Sequence, residues 1–207
     1  MLTVALGFDG VLFPLPAALA VWASPRGVDL PGEPDGPSWW RSCGLSDDDW
    51  VQLVADFGED SGYQSADPYP EALDGLVEIF DLGHDLVGAT SRRPTRRVEA
   101  STFGWVAQWV LPMRAVLIGP ASKLEVECDL IVDDDPAALD AVDEMGEACG
   151  LLLDRPWNRD AVGFPRVSWS ALPALVEMLG EQVAAEADAD RRFVLAEAVE
   201  SLRPVSA

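Results

Sequence analysis

The sequence predicts an α/β fold of three layers, with a parallel sheet and a small helical subdomain inserted after the first strand. From residue 71 onward, short apolar runs alternate with segments of helical periodicity, which is typical of a parallel sheet covered by helices on both faces. Between residues 15 and 67 this alternation is interrupted. The chain of 207 residues is long enough for one such core and one insertion.

The first predicted strand is Leu2 to Leu6, an apolar run that ends at Gly7. The segment from Glu71 has the apolar periodicity of an α-helix, with one stripe formed by Leu73, Leu76, Ile79 and Phe80. The later predicted strands are 85–89, 114–118, 128–132 and 150–153, and the later helices are 71–82, 95–110, 122–126, 136–145, 170–180 and 182–202.

The predicted domain organisation follows from the interrupted alternation. Residues 1–14 and 68–180 form the core, residues 15–67 form an inserted helical cap, and residues 181–207 form a C-terminal helical extension. Within the insertion, an Ala-rich helix at 15–23 is followed by a loop rich in Pro and Gly. A second helix then opens at Ser46, whose side chain can cap it.

The charge balance excludes several classes of partner. Thirty-six acidic and 14 basic side chains give a net charge of −22 at pH 7. A field of that sign repels duplex nucleic acid and anionic membrane surfaces. Any anionic ligand must therefore be bound by local groups, such as a metal ion, backbone amides or a cluster of cations. Lys123 is the only lysine of the chain.

Cysteine usage and the N-terminal segment predict a cytoplasmic protein. The three cysteines, Cys43, Cys128 and Cys149, have no spacing typical of a disulfide framework or a zinc site. The apolar run at 2–6 lacks the basic region of a signal peptide, and no apolar run is long enough to span a membrane. The oligomeric state is left open by the sequence.

Chemistry-bearing residues follow each predicted strand. Ligands of open parallel sheets bind beyond the carboxyl ends of the strands, so these positions are the candidates for a site. The segments after the five strands are Gly7 to Leu12, Thr90 to Pro94, Gly119 to Lys123, Asp133 to Pro136 and Asp154 to Asn158.

Four of these segments, in this order, resemble the motifs of the haloacid-dehalogenase (HAD) superfamily. That family has a strand ending in Asp-x-Asp-Gly-x-Leu, a strand ending in Thr or Ser, a Lys, and a strand ending in paired aspartates. The matching residues lie within about residues 1–160: Gly7-Phe8-Asp9-Gly10-Val11-Leu12, Thr90, Lys123 and Asp133-Asp134. The resemblance implies a HAD-type Rossmannoid core.

Within the superfamily, the chain is most similar to the 5′(3′)-deoxyribonucleotidase-like branch. The segments that carry this similarity are Thr90-Ser91-Arg92, Asp133-Asp134-Asp135-Pro136 and Arg155-Pro156-Trp157-Asn158. The resemblance implies a phosphatase-type site for a phosphorylated small molecule, with a nucleotide as the expected ligand and Mg²⁺ as the expected cofactor.

The resemblance also implies roles for individual residues. Asp9, Thr90 and Lys123 are the expected catalytic residues, with Asp9 as general acid and base. Mg²⁺ prefers oxygen ligands, and the expected ones are Asp9 (through its backbone carbonyl), Asp133 and Asp134. The phosphate is expected to contact Thr90, Ser91, Arg92, Lys123 and Gly10.

Gly7 departs from the family pattern, because it stands where the family has its nucleophilic aspartate. A glycine cannot form an aspartyl-phosphate, and one metal ligand is lost with the carboxylate. Three interpretations remain open: a binding or regulatory protein without hydrolysis, a phosphomonoesterase that uses metal-bound water, or a sequence change that the natural protein lacks. The first is the preferred interpretation. On the same resemblance, the sequence predicts that Gly7→Asp would raise phosphatase activity.

Structural roles compete with functional ones at several positions. The aspartates before Pro136 can cap a helix, and part of the arginine group at 92–97 can be a solvated helix face. His84 is expected to be structural, and the roles of Asp154 and Asn158 are left open. The aromatic residues Trp39, Trp40, Trp50 and Tyr63 are expected either in a small core or in a wall that stacks on a base.

Overall fold

The fold is built around a central parallel sheet. The computed structural model describes residues 1–186 and 190–203 of the chain. Within those ranges the sheet has six strands in the order β3-β2-β1-β4-β5-β6. Their bounds are β1 Thr3–Leu6, β2 Asp85–Thr90, β3 Ala115–Ile118, β4 Leu130–Asp133, β5 Cys149–Leu153 and β6 Arg166–Val167. The predicted α/β fold class is confirmed. The sequence analysis missed β6, because two residues are too few to give a periodic signal.

The register of the sheet places the expected site residues at one edge. Leu6 at the end of β1 pairs with Gly88 of β2 and with Val132 of β4. Gly7 therefore follows β1 beside the last residue of β4, Asp133. Since all strands are parallel, their carboxyl ends open onto the same edge.

Helices pack on both faces of the sheet, and the larger buried cluster joins them to the strands through residues such as Leu6, Leu86 and Leu130. The α-helices of the described residues are α1 Leu15–Ala23, α2 Asp47–Glu59, α3 Pro70–Asp81, α4 Arg96–Gln108, α5 Ser122–Glu125, α6 Pro136–Met145, α7 Leu172–Ala185 and α8 Arg191–Glu200.

The inserted segment, residues 15–67, contains α1, α2 and short 3₁₀ turns. The expected cap at Ser46 is present as a capping box, in which the Ser46 hydroxyl accepts from the Asp49 amide and the Asp49 carboxylate accepts from the Ser46 amide. Phe57 of α2 packs edge-on against Tyr63 and at a tilt against Phe13, and Phe13 in turn contacts Trp105 of α4. The inserted segment thus shares one apolar cluster with the sheet and its helices.

Two details of the sequence analysis are wrong. Phe80 was expected on the buried stripe of α3, but its side chain is 52% exposed. The buried face of this helix is formed by Ala72, Leu76 and Ile79 instead. A single helix over 182–202 was also expected, yet α7 continues to Ala185 and α8 begins only at Arg191.

The predicted C-terminal extension begins inside α7, so the boundary at residue 180 does not coincide with the end of a helix. Helix α8 packs onto the core through Val194, Leu195 and Val199, which are buried. Residues 187–189 and 204–207 of the predicted extension lie outside the described residues.

His84 has the structural role that the sequence analysis expected. Its ring is buried next to the first strand, and its Nδ1 atom accepts a hydrogen bond of 3.0 Å from the Leu2 amide. In the described part of the chain, no helix has the length and apolar character needed to cross a membrane.

Candidate functional site

A cleft of about 980 Å³ opens at the carboxyl edge of the sheet. Its floor is formed by loops that follow the strands, and its wall is formed by residues 15–63 of the inserted segment and neighbouring loops. Most of the expected site residues lie on the floor: Asp9, Gly10, Thr90, Ser91, Arg92, Lys123 and Asp134. Asp133 is not among them, because its side chain is fully buried beneath the floor.

The loop after β1 is a tight turn around one carbonyl. The Phe8 carbonyl accepts hydrogen bonds from the amides of Val11, Leu12 and Phe13. Gly10 has a φ of 78°, a left-handed conformation that favours glycine. From the loop after β5, Arg155 donates to the Gly10 carbonyl at 2.6 Å and to the Val11 carbonyl at 3.1 Å. The turn that carries Asp9 is therefore fixed both by its own backbone hydrogen bonds and by Arg155.

Asp134 packs against this turn. Its carboxyl group fills the space next to Gly10, so that a Cβ atom at Gly10 would overlap Asp134 Oδ2. The same oxygen accepts a hydrogen bond of 2.7 Å from Trp157 Nε1. Burial, together with the neighbouring charge of Asp133, raises the pKa of Asp134 to about 8.

Asp133 and Lys123 form an ion pair beneath the floor, with 2.6 Å between Lys123 Nζ and Asp133 Oδ2. The Asp133 side chain is fully buried, whereas that of Lys123 is 14% exposed and reaches the cleft. Burial acts to lower the pKa of Lys123, but the Asp133 carboxylate outweighs it and raises that pKa. Lys123 therefore remains a cation across the physiological range.

Gly7 lies directly against this ion pair. A Cβ atom on Gly7 would stand 2.5 Å from Asp133 Oδ2 and 3.0 Å from a methyl group of Val11. The position where the resemblance expects a nucleophile thus has no side chain, and the carboxylate of Asp133 occupies the space beside it.

Asp9 is held by Arg92 in a second ion pair. Arg92 donates from Nε and Nη2 to the Asp9 carboxylate, with the shortest distance at 2.6 Å. Its remaining terminal nitrogen donates to Thr102 Oγ1 at 2.9 Å, and the guanidinium lies 3.7 Å from the ring centre of Tyr63. The Arg92 side chain is 1% exposed. The expected phosphate ligand Arg92 is thus engaged on three sides within the protein.

Thr90 and Lys123 are brought together by Ser122. The Thr90 carbonyl accepts from the Gly119 amide at 2.9 Å and from the Ser122 hydroxyl at 2.8 Å. These bonds attach the start of α5, and with it Lys123, to the end of β2. Ser91 follows Thr90 and is exposed. Both residues line the floor, as the sequence analysis expected.

The side chains at the expected Mg²⁺ site do not form a ligand set, and Asp9 was expected to contribute only its backbone carbonyl. Asp9 is paired with Arg92, Asp133 with Lys123, and Asp134 accepts from Trp157. Among the described residues, no group of three or more His, Cys, Asp or Glu side chains is arranged to hold a metal ion. A divalent cation bound by Asp133 would have to compete with Lys123 for the same oxygen, and Gly7 supplies no carboxylate to assist it. The residues present therefore do not fit the Mg²⁺ site that the resemblance implies.

Three tryptophans of the inserted segment line the wall of the cleft. The rings of Trp40 and Trp50 stack with 4.9 Å between centroids and 8° between planes. Trp39 meets Trp50 edge-on at 5.0 Å. All three are half-buried, so they act both as a small apolar cluster and as cleft surface.

The last loop contributes residues whose roles the sequence analysis had left unassigned. Asn158 is buried and donates to the carbonyls of Asp134 and Leu153, so it connects the loops after β4 and β5. Trp157 positions Asp134, and Arg155 positions the turn after β1. Asp154 instead forms an exposed ion pair with Arg166. The Arg155-Pro156-Trp157-Asn158 segment marked this loop as a candidate for the site, but the contacts of its side chains could not be predicted from the sequence.

Comparisons with known proteins identify the fold. No family model matches the sequence, and no curated protein matches it. A HAD phosphatase from Thermococcus onnurineus aligns over 85% of this chain and 98% of its own, with 14% identity and a TM-score of 0.46. A HAD family hydrolase from Deinococcus radiodurans R1, solved with bound phosphate and sodium, aligns over 86% of this chain and 96% of its own, with 16% identity and a TM-score of 0.51. On this last likeness, the chain has the fold of the HAD hydrolases.

Proposed function

We propose that this protein binds a phosphorylated small molecule, with a nucleoside monophosphate as the best candidate, and does not hydrolyse it through an aspartyl-phosphate. The observation that carries the proposal is the composition of the cleft floor. Thr90 and Lys123 face the cleft, while the nucleophile position is Gly7, packed against Asp133.

The floor offers a place for the phosphate group. Lys123 is a cation that reaches the cleft, and the hydroxyl-bearing residues Thr90 and Ser91 line the same surface. Hydrogen bonds from charged and hydroxyl donors are the usual means of holding phosphate oxygens. The phosphate bound in the Deinococcus hydrolase of the same fold supports an anion as the ligand class.

The wall offers a place for a flat aromatic ring. The cleft volume of about 980 Å³ is at the upper end of the range for small-molecule sites, roughly 300–1,000 Å³. Trp39, Trp40 and Trp50 supply aromatic surface within this volume. Stacking of a base on an aromatic side chain contributes about 1–3 kcal/mol in single-stranded nucleic-acid complexes. A nucleoside monophosphate combines such a ring with a phosphate.

The floor lacks the groups that hydrolysis would need. Gly7 offers no oxygen for covalent attack, and the carboxylate of Asp9, the expected general acid and base, is held by Arg92. Mg²⁺ is not part of the proposal, because Gly7 supplies no carboxylate and the side chains of Asp133 and Asp134 each have another partner. The proposed function is therefore binding.

Titration calorimetry tests the proposal with inorganic phosphate and with ribo- and deoxyribonucleoside monophosphates. We expect nucleotides to bind more tightly than phosphate, and Thr90→Val to weaken both. Trp40→Ala should weaken only the nucleotides. Arg114→Ala, a change at the opposite edge of the sheet, serves as the matched control.

Two results would overturn the proposal. One is the absence of binding for every phosphorylated ligand by a protein that is folded by circular dichroism. The other is release of inorganic phosphate from the nucleotides well above the uncatalysed rate, in a manner lost on Asp9→Asn.

A further inference from the structure

The floor of the cleft contains two ion pairs within the protein. Two carboxylates, Asp9 and Asp133, are matched by two cations, Arg92 and Lys123, at distances of 2.6 Å in each pair. The third carboxyl group, Asp134, receives a hydrogen bond from Trp157.

Both cations are integral parts of the structure. Arg92 is 1% exposed, and it is fixed by Thr102 and by the ring of Tyr63 in addition to Asp9. Drawing the Asp9 carboxylate away from Arg92 would leave a buried guanidinium without its counter-ion, which is strongly unfavourable. Lys123 presents the same difficulty, because Asp133 has no exposure to solvent.

The space around Gly7 reinforces this arrangement. Asp133 Oδ2 lies 2.5 Å from the position of a Cβ atom on Gly7, so the carboxylate turns toward the empty side-chain position and toward Lys123. The loss of a side chain at position 7 and the formation of the Lys123–Asp133 pair are therefore sterically linked.

We propose that the cleft binds phosphate-type anions without a divalent metal ion, and that Lys123 supplies the positive charge that a metal would otherwise provide. This inference rests on the proposed function for its ligand. It goes further in stating that the Lys123–Asp133 pair takes the place of the metal site, so that the affinity for an anion is independent of Mg²⁺.

The first experiment measures metal binding directly, without any anion. Mn²⁺ is titrated against the protein and followed by electron paramagnetic resonance. Because the net charge is −22, weak surface binding is expected. That binding should be unchanged, within twofold in affinity and in number of sites, in Asp133→Asn, in Asp134→Asn and in the surface control Asp48→Asn. A saturable site that disappears in Asp133→Asn or Asp134→Asn, but persists in Asp48→Asn, would overturn the inference.

Asp134→Asn keeps the experiment decisive if Asp133→Asn fails to fold. Asp134 is half-buried, and an asparagine can still accept the hydrogen bond from Trp157. Either variant suffices to detect a site that uses this pair of carboxylates.

The second experiment measures binding of inorganic phosphate by calorimetry, once in EDTA and once in excess Mg²⁺. We expect dissociation constants that agree within twofold. A tightening of tenfold or more in Mg²⁺ would overturn the inference while leaving phosphate binding intact. If phosphate fails to bind in both conditions, the proposed function fails and the anion site with it, whereas the Mn²⁺ titration still decides whether a metal site exists.

Discussion

The Asp133 carboxylate lies where a side chain on Gly7 would have to stand, with Oδ2 2.5 Å from the position of a Cβ atom. Real Cβ atoms do not approach oxygen so closely, so any other residue at position 7 forces a rearrangement. Asp133 cannot move freely, because Lys123 holds it at 2.6 Å. Glycine at position 7 is thus a steric requirement of the ion pair.

Gly7→Ala should therefore destabilise the fold. We expect a loss of about 1–3 kcal/mol in the free energy of unfolding, the usual cost of adding a methyl group to a filled site. Urea denaturation followed by tryptophan fluorescence measures the change. Gly36→Ala is the control, because a Cβ atom there meets no atom within 4 Å.

A double-mutant cycle locates the cause of this loss. In an Asp133→Ala background, the carboxylate that meets the new methyl group is absent, so Gly7→Ala should cost clearly less than in the unmodified protein. Equal costs in the two backgrounds would mean that Val11, at 3.0 Å, or the backbone causes the strain.

Gly7→Asp should not restore phosphatase activity by itself. The sequence analysis assumed that the end of β1 accommodates an aspartate, and the packing of Asp133 contradicts that premise. Arg92 also continues to hold Asp9, so the expected acid and base remains paired. Release of phosphate from a generic aryl phosphate in Mg²⁺ should stay within a few-fold of the unmodified protein. A large Mg²⁺-dependent gain would show that Asp133 readily swings aside.

The sequence was sufficient to predict the sheet and the location of the cleft. Motifs that follow strands must meet at one edge of a parallel sheet, so Thr90 and Lys123 could be placed together from their order alone. Pairing between side chains could not be predicted in this way. Whether Asp133 faces the cleft or Lys123 depends on rotamers and on the space beside Gly7, which only the packed structure defines.

Arg92 also shows that the location of a residue can be predicted from the sequence, whereas the partners of its side chain cannot. Its position after Thr90 indicated a residue near the ligand, and it does line the cleft. Its partners, however, come from distant parts of the chain: Asp9, Tyr63 and Thr102. Periodicity carries no information about such contacts. The end of α7 was missed for a related reason, because an Ala- and Glu-rich segment has helical propensity on both sides of the break.

Arg92→Met should destabilise the protein by about 3 kcal/mol, the lower end of the cost of leaving one charge of a buried pair alone. The lower end applies because the Asp9 side chain is 25% exposed and can be partly hydrated. Thermal and urea unfolding measure the loss. The double change Arg92→Met with Asp9→Asn should recover part of it, and Arg114→Met, which breaks an exposed pair with Asp85, should cost far less. An equal loss for both arginines would contradict the importance of the buried pair.

His84 provides a separate test at the opposite side of the protein. It is the only histidine of the chain, and its Nδ1 atom accepts from the Leu2 amide, which requires that nitrogen to be unprotonated. Burial, assisted by the positive charge of the N-terminus, lowers the pKa of His84 below its ordinary value of 6.5.

The stability that neutral His84 provides should be present above pH 6.5 and lost as the pH falls below it. In that range the unfolded chain takes up a proton that the folded chain does not, so the proton uptake favours unfolding until the pH falls below the pKa of the folded state. Urea unfolding of the unmodified protein and of His84→Asn between pH 8 and pH 5 measures this. Asparagine can accept the Leu2 hydrogen bond but does not titrate, so the difference in unfolding free energy between the two proteins should shift in favour of the variant as the pH falls. A constant difference across the range would show that His84 has the same pKa in both states.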